Sequence, residues 1–506
     1  MAAGMKSHRV LAAWLFSTWL LASWAFGGVA AQSTPTFIAN ASVIDGTGAP
    51  ARAASVRIVN DRIAAIGEIT PEPGDQVIDG KGLVLAPGFI DTHSHHTGGL
   101  FVQLDAPAVV SQGITTVIAG QDGDSMYPIS SLFERLAATP AAMNVASFVG
   151  HGALREEVMG KDFKRPATAA EVQKMAELLH GEMTSGALGL SSGLEYDPGI
   201  YSETSELVAL AKVAAQFGGR YTSHVRSEDR TFWKAIDEAI AIGREARIPV
   251  NISHLKLAMR SLWGQTDRLL KTLNDARAAG LNVTADIYPY TYWQSGMTVL
   301  FPERDFTNRA AAEFALREVT SPEGLLITRY ASNPAYEGQT LAHIAASRGV
   351  DPPQAMMDMI RETDGNIGIV ATGMDERDVA TLMKWPFANI CSDGTSSGGH
   401  PRGYGTFPRV LGRYVREQKI LSLEEAIRKM TSLAATNTGL RDRGTIRTGA
   451  YADLVLFDAA TVIDRSTTKD PKAMSEGIRS VWVNGQLVFD RGRTTDRRPG
   501  KVLKRE

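Results

Sequence analysis

The stretch Pro87-Gly88-Phe89-Ile90-Asp91-Thr92-His93-Ser94-His95 decides how this chain is read. A short apolar run ends in Asp-Thr-His-Ser-His, and residues two apart on a strand share a face. His93 and His95 therefore point into one space, as two ligands of a single metal must. Three further apolar runs end in the same manner, at Ser223-His224, Ser253-His254 and Ser392-Asp393. In a parallel barrel all strand ends meet at one mouth. Such a fold brings His93, His95, His224, His254 and Asp393 together.

Working outward, candidate strands end near Thr92, Gly120, Val149, Gly193, His224, His254, Tyr288 and Ser392. Helical patterns at 167–183, 203–217, 231–246 and 265–279 lie between them, the first opened by the capping box Thr168-Ala169-Ala170-Glu171. An open α/β sheet reads similarly strand by strand. Eight strands with these residues at their ends favour an α/β, TIM-like (β/α)8 barrel over residues 87–443. Residues 293–374 are too long for one crossover and predict an insertion near the mouth, in the position of a lid. Short strands at both ends of the chain, with turns at Asn60-Asp61 and Asn484-Gly485, predict a small β-sandwich domain formed from both termini, residues 32–86 and 444–506.

The N-terminus has its own pattern. Lys6, His8 and Arg9 precede an apolar stretch over residues 10–26, followed by Gly27, Gly28, Val29, Ala30 and Ala31. This predicts a signal peptide over residues 1–31, cleaved near Ala31–Gln32. A retained anchor is the alternative, though the apolar run is marginal for a span. Cleavage implies a periplasmic or secreted protein with no membrane association afterwards. At 506 residues the chain can bury a large core. A net charge of −2 with no basic run excludes a nucleic-acid partner. Cys391 is the only cysteine, which excludes an intramolecular disulfide, a thiolate zinc cluster and a lipidated cysteine.

Imidazole and carboxylate suit zinc and similar divalent ions, and catalytic sites leave one position open for water. His93 and His95 make one ligand pair, His224 and His254 a second. His96, His151, His180 and His343 are read as structural. Asp393, before a Gly-rich loop, can move a proton from water to a leaving amine. Two metals require a shared anion, which either Asp122 or Glu195 could provide. Arg226, Lys256 and Arg402 lie near the metal positions, where cations suit an anionic small-molecule substrate. Tyr288 and Tyr290 flank Pro289 after the seventh strand.

The opening stretch resembles the signature of the amidohydrolase superfamily, and Gly449-Ala450-Tyr451-Ala452-Asp453-Leu454-Val455-Leu456 resembles its closing one. The runs at 221–228, 252–256, 286–290, 392–394 and 400–410 resemble the D-aminoacylase (N-acyl-D-amino-acid deacylase) branch. The resemblance implies one or two Zn2+ ions held by His93, His95, His224 and His254, and Asp393 as proton shuttle. It also implies that Lys256, Tyr288 and Arg402 hold the carboxylate of an N-acyl amino acid. Better-known members resemble Gly-Asn-Cys-Gly where this chain has Gly120-Gln121-Asp122-Gly123, so Asp122 stands for a bridging cysteine. The loop from Asp393 to Arg402 also looks shorter. The expected activity is cleavage of N-acyl-D-amino acids to a carboxylate and a D-amino acid. A dipeptidase for D-residue dipeptides, a cyclic amidase and, last, a non-catalytic binding module are the alternatives.

Overall fold

Eight parallel strands form the centre of the structure, a computed structural model that describes residues 34–505. The signal-peptide region therefore lies outside the described residues. The strands are Phe89–Asp91, Ile114–Ala119, a third interrupted at Phe148 (Asn144–Ser147 and Val149–Gly150), Gly189–Gly193, Arg220–His224, Val250–Ile252, Val283–Ile287 and Ala388–Ile390. Each is short and buried on both faces, as parallel strands covered by helices require.

The barrel closes between its first and last strands. The Asp393 amide donates to the His93 carbonyl at 2.9 Å, and the His95 amide to the Gly394 carbonyl at 2.9 Å. The buried Asp91 carboxylate accepts from the Ser392 amide at 2.7 Å and its hydroxyl at 2.5 Å. Burial pushes the Asp91 carboxyl up to about 6 despite these bonds. The aspartate of the opening motif thus sews the barrel shut directly beneath the histidines.

Helices Ala169–Ser185, Thr204–Gln216, Phe232–Ala246 and Thr266–Ala278 fall where the apolar periodicity places them. The Thr168 hydroxyl accepts from the Glu171 amide while the Glu171 carboxylate accepts from the Thr168 amide, completing the capping box. Strands from both termini form one continuous nine-stranded sheet, which includes Thr36–Val43, Arg52–Val59, Val84–Pro87, Leu454–Phe457 and Ile478–Val483. Asn484 and Gly485 both adopt positive φ, the turn that matches strand twist in a two-residue hairpin. Asp453 of the closing motif is buried against Arg443, and accepts from the Asn484 amide at 2.7 Å and the Asn144 side chain at 3.2 Å. That knot ties the terminal sheet to the third barrel strand.

The segment after Tyr290 builds a separate antiparallel sheet, with Gly368–Thr372 between Tyr292–Gly296 and Leu325–Arg329. Trp293, Gln294 and Ser295 on its first strand face the barrel mouth. No helix among the described residues is long and apolar enough to cross a membrane.

Candidate active site

Three groups of side chains able to hold a metal meet at the mouth. His93, His95, Asp122 and Asp393 form the first, Asp122, His224 and His254 the second, and Glu195, His224 and Glu228 the third, with the ligand atoms of each group within 4.8 Å of one another. Asp122 belongs to the first two. Its Oδ2 lies 3.2 Å from His93 Nε2 and 3.3 Å from His95 Nε2, while its Oδ1 lies 3.4 Å from His254 Nε2. His224 Nδ1 is 2.9 Å from His254 Nε2. Asp393 Oδ1 approaches His95 Nε2 at 3.4 Å.

The backbone aims these groups at cost. Asp122, His254 and Asp393 have φ of 54°, 36° and 49°, the left-handed region that side chains with a Cβ rarely occupy. Such strain persists only where the surroundings hold it, and it gathers at functional sites. The His254 amide is held by Asp286 Oδ1 at 2.5 Å, and the Asp393 amide by the His93 carbonyl. His254 lies two residues beyond its strand, so the left-handed turn brings its ring back to the mouth.

The electrostatics favour a cation. Burial works against charge on His95, but hydrogen bonds to Asp122 and Asp393 overcome it and push the imidazole up to about 10. Burial likewise opposes ionisation of Asp122 and Asp393. Around Asp122 the imidazoles of His93 and His254 prevail, and around Asp393 the Arg402 guanidinium does, holding both carboxyls well below the ordinary range. His93 Nδ1 and Asp122 Oδ1 are buried without hydrogen-bond partners. Two carboxylates among four imidazoles fit one or two divalent ions.

Outer partners fix the rings. His224 Nε2 meets Glu195 Oε2 at 3.0 Å. His254 Nδ1 meets Glu228 Oε1 at 3.1 Å and Lys256 Nζ at 2.8 Å, and Lys256 is itself ion-paired with Glu228. Glu195 shares His224 with Glu228 in the third group, whereas Asp122 lies between the first two. Arg402 Nη1 pairs with Asp393 Oδ2 at 2.6 Å, and its guanidinium lies 4.8 Å from the centre of the Tyr288 ring. The Tyr288 hydroxyl is buried without a partner. Arg226 does not join the site: it turns to Glu238 on the following helix, with donor–acceptor distances of 2.8 Å. His151 is buried against Glu206 at 2.7 Å, beside Arg155. His180 packs on Phe217 away from the mouth.

Glu228, Tyr196 and His400 also reach the site without having been singled out from the sequence. Glu228 sits in a loop with no strand-end position to mark it. The Tyr196 hydroxyl lies 3.2 Å from His224 Nδ1. His400 Nδ1 accepts from the Arg402 amide at 3.0 Å and so sets the turn that presents Arg402. Two cavities open from the centre. A wide cleft of about 520 Å³ runs past His95, Asp122 and Asp393 toward Asp124 and Glu156. A narrow pocket of about 40 Å³ contains Lys256, Tyr288 and Arg402.

A barrel whose strand ends gather four histidines and two aspartates defines a metal-dependent hydrolase of the amidohydrolase type. A profile of the family described as "Amidohydrolase family" matches residues 76–277 and 299–489. The chain belongs to the amidohydrolase family, in its D-aminoacylase branch. It is 36% identical to the D-aminoacylase of Alcaligenes xylosoxydans xylosoxydans, over 94% of this chain and 98% of that one. It is 39% identical to N-acyl-D-aspartate deacylase of the same organism, over 92% and 94%. The crystal structure of N-acyl-D-glutamate deacylase from Bordetella bronchiseptica, complexed with zinc and a phosphonate mimic of the tetrahedral intermediate, superposes with a TM-score of 0.85. That structure shares 37% identity and covers 93% of this chain and 99% of that one.

Proposed function

We propose that this chain hydrolyses the amide bond of N-acyl-D-amino acids, releasing a carboxylate and a free D-amino acid. The observation that carries the reading is the position of Asp393. One of its oxygens lies 3.4 Å from His95 and the other 2.6 Å from Arg402, so a single carboxylate joins the ligand set to the anion-binding end of the narrow pocket. His93, His95, Asp122, His224 and His254 are the residues that would hold Zn2+, with Asp122 shared where two ions bind. The bound ion supplies Lewis acidity and activated water at neutral pH.

The chain's own groups do the rest. Asp393 takes the proton from the attacking water and delivers it to the leaving nitrogen. Arg402, Lys256 and the unpartnered Tyr288 hydroxyl orient the substrate α-carboxylate. Lys256 Nζ lies 2.8 Å from His254 Nδ1 and is ion-paired with Glu228, so the ammonium donates to both and is held at the pocket wall where the substrate carboxylate would meet it. Assay of N-acetyl-D- and N-acetyl-L-amino acids with added Zn2+ tests the reading. Release of D-amino acids is expected, and absence of turnover of every D-substrate rejects it.

A second reading, hydrolysis of dipeptides with a C-terminal D-residue, draws on the wide cleft. Asp124 and Glu156 line it, two acids of the kind that suit the amine of an aminoacyl group. Comparing amine-blocked with unblocked dipeptides separates the two. The charged, apolar and small-residue order of residues 6–31 further supports export, with removal of residues 1–31. N-terminal sequencing of the mature protein should begin at Gln32.

A further inference from the structure

We propose that this chain selects N-acyl-D-amino acids with neutral, apolar side chains and rejects those of D-glutamate and D-aspartate. The proposal rests on the deacylase reading above. The relatives are named for different side chains, so ancestry leaves the choice open.

The narrow pocket has two distinct walls. One carries Lys256, Tyr288 and Arg402 beside Asp393, His224 and His254. With the α-carboxylate on the cations and the amide at Asp393, the amino-acid half of the substrate occupies this pocket, and the acyl half faces the wide cleft. The other wall is Ala258 together with Trp293, Val299, Leu300 and Val319, the last four from the segment that follows the seventh strand. We take it as the surface that the substituent on Cα meets; the polar side chains beside it, Tyr196, Trp293, Gln294 and Ser295, carry no charge, and the Gln294 carbonyl already accepts from the His400 amide at 2.9 Å.

Charge points the same way. The lining holds the carboxylates Glu195, Glu228, Asp229 and Asp393 against the two cations Lys256 and Arg402. Both cations already face an acid, Glu228 and Asp393 respectively. The next cation along the insertion, Arg304, is committed elsewhere. It donates to Asp197 at 2.9 Å and to the carbonyls of Glu195, Thr298 and Phe301 at 2.8, 3.3 and 3.2 Å. A second substrate carboxylate therefore enters a site with no free counter-charge, against apolar groups and four fixed acids. An apolar side chain loses nothing there and buries its surface.

The test uses the full chain loaded with Zn2+. We expect kcat/KM for N-acetyl-D-methionine and N-acetyl-D-leucine to exceed that for N-acetyl-D-glutamate and N-acetyl-D-aspartate at least 100-fold. Equal or better turnover of the acidic pair overturns the proposal while leaving the deacylase reading standing. No turnover of any of the four overturns that reading and the proposal with it. Val299 is only partly buried, so Val299→Arg should fold, with wild-type melting and metal content as the check. The variant should shift the ratio at least tenfold toward the acidic substrates. An unchanged ratio in the folded, metal-loaded variant overturns the placement of the side chain. Product inhibition by free D-leucine and D-glutamate reads the same preference on the unaltered chain, and stronger inhibition by D-glutamate also overturns it.

Discussion

His224 and Trp293 line the same narrow pocket and reach it by different routes. His224 closes a barrel strand whose every residue is hydrogen-bonded into the ladder, and its ring is held from behind by Glu195. Trp293 comes from a separate three-stranded sheet that pairs only with itself. The barrel half carries the charged and candidate metal-ligating side chains, anchored on parallel strands and by buried acids. The insertion half contributes shape and apolar surface and can change without disturbing the ladder. The proposed chemistry is thus tied to the barrel, and the proposed selectivity to the segment laid over it.

Breaking the barrel half should have the largest effect. Asp393→Asn removes the proton carrier and should lower kcat about 1000-fold, with the fold intact by circular dichroism. A variant retaining more than a tenth of wild-type activity would show that another group moves the proton. Next comes Glu228→Gln, which removes the negative charge that pairs with Lys256 and faces His254 Nδ1. Loss of such an outer partner typically weakens metal affinity about 10–100-fold, measurable by chelator competition. On the insertion half, Trp293→Ala should raise KM for an apolar substrate about tenfold, roughly the worth of a lost apolar contact. Metal affinity should not move. A fall in metal affinity would mean that the two halves are coupled.

The smallest catalytic effect and a clear stability effect are expected at Lys429. This fully buried side chain donates to the carbonyls of Trp385 at 2.5 Å and Ala388 at 3.0 Å, at the entry to the last barrel strand. Burial lowers the ammonium to about 8 from an ordinary 10.5. Between those two pH values the unfolded chain keeps a proton that the native state has released, so stability rises with pH across that window. Below about pH 8 the native state carries the penalty of the buried charge, offset in part by Glu425 at 3.6 Å. Lys429→Met should leave kcat within about twofold while stranding two buried carbonyls, at about 1–3 kcal/mol each. Its melting temperature should lack the wild type's relative gain between pH 8 and 10. An identical pH slope in both proteins would remove Lys429 as the cause.

Much of the site was legible because its marks are local. The spacing of His93 and His95, the histidines closing apolar runs and the capping box at Thr168 each depend on a few neighbouring residues and on strand or helix periodicity. Other features were not legible. Asp122 and Glu195 both follow strands, and neither spacing nor composition shows which one lies between the metal groups. Arg226 shares a strand register with His224, yet its long side chain finds Glu238 twelve residues on. Glu228 has no periodic position at all; the fold alone sets it beside Lys256 and His254.

The amino-acid sequence alone determined the class of fold, the imidazole and carboxylate chemistry, and the barrel strands that carry it, since alternation of apolar runs and strand-end residues is written in adjacent positions. Only the tertiary structure set the Asp122 carboxylate within 3.4 Å of His93, His95 and His254, paired Lys256 and Arg402 with acids, and brought Trp293, Val299, Leu300 and Val319 to the pocket. Those facts depend on side chains from segments up to a few hundred residues apart meeting in one buried volume. There burial and charge pairing, which no local pattern encodes, settle which groups remain free to act.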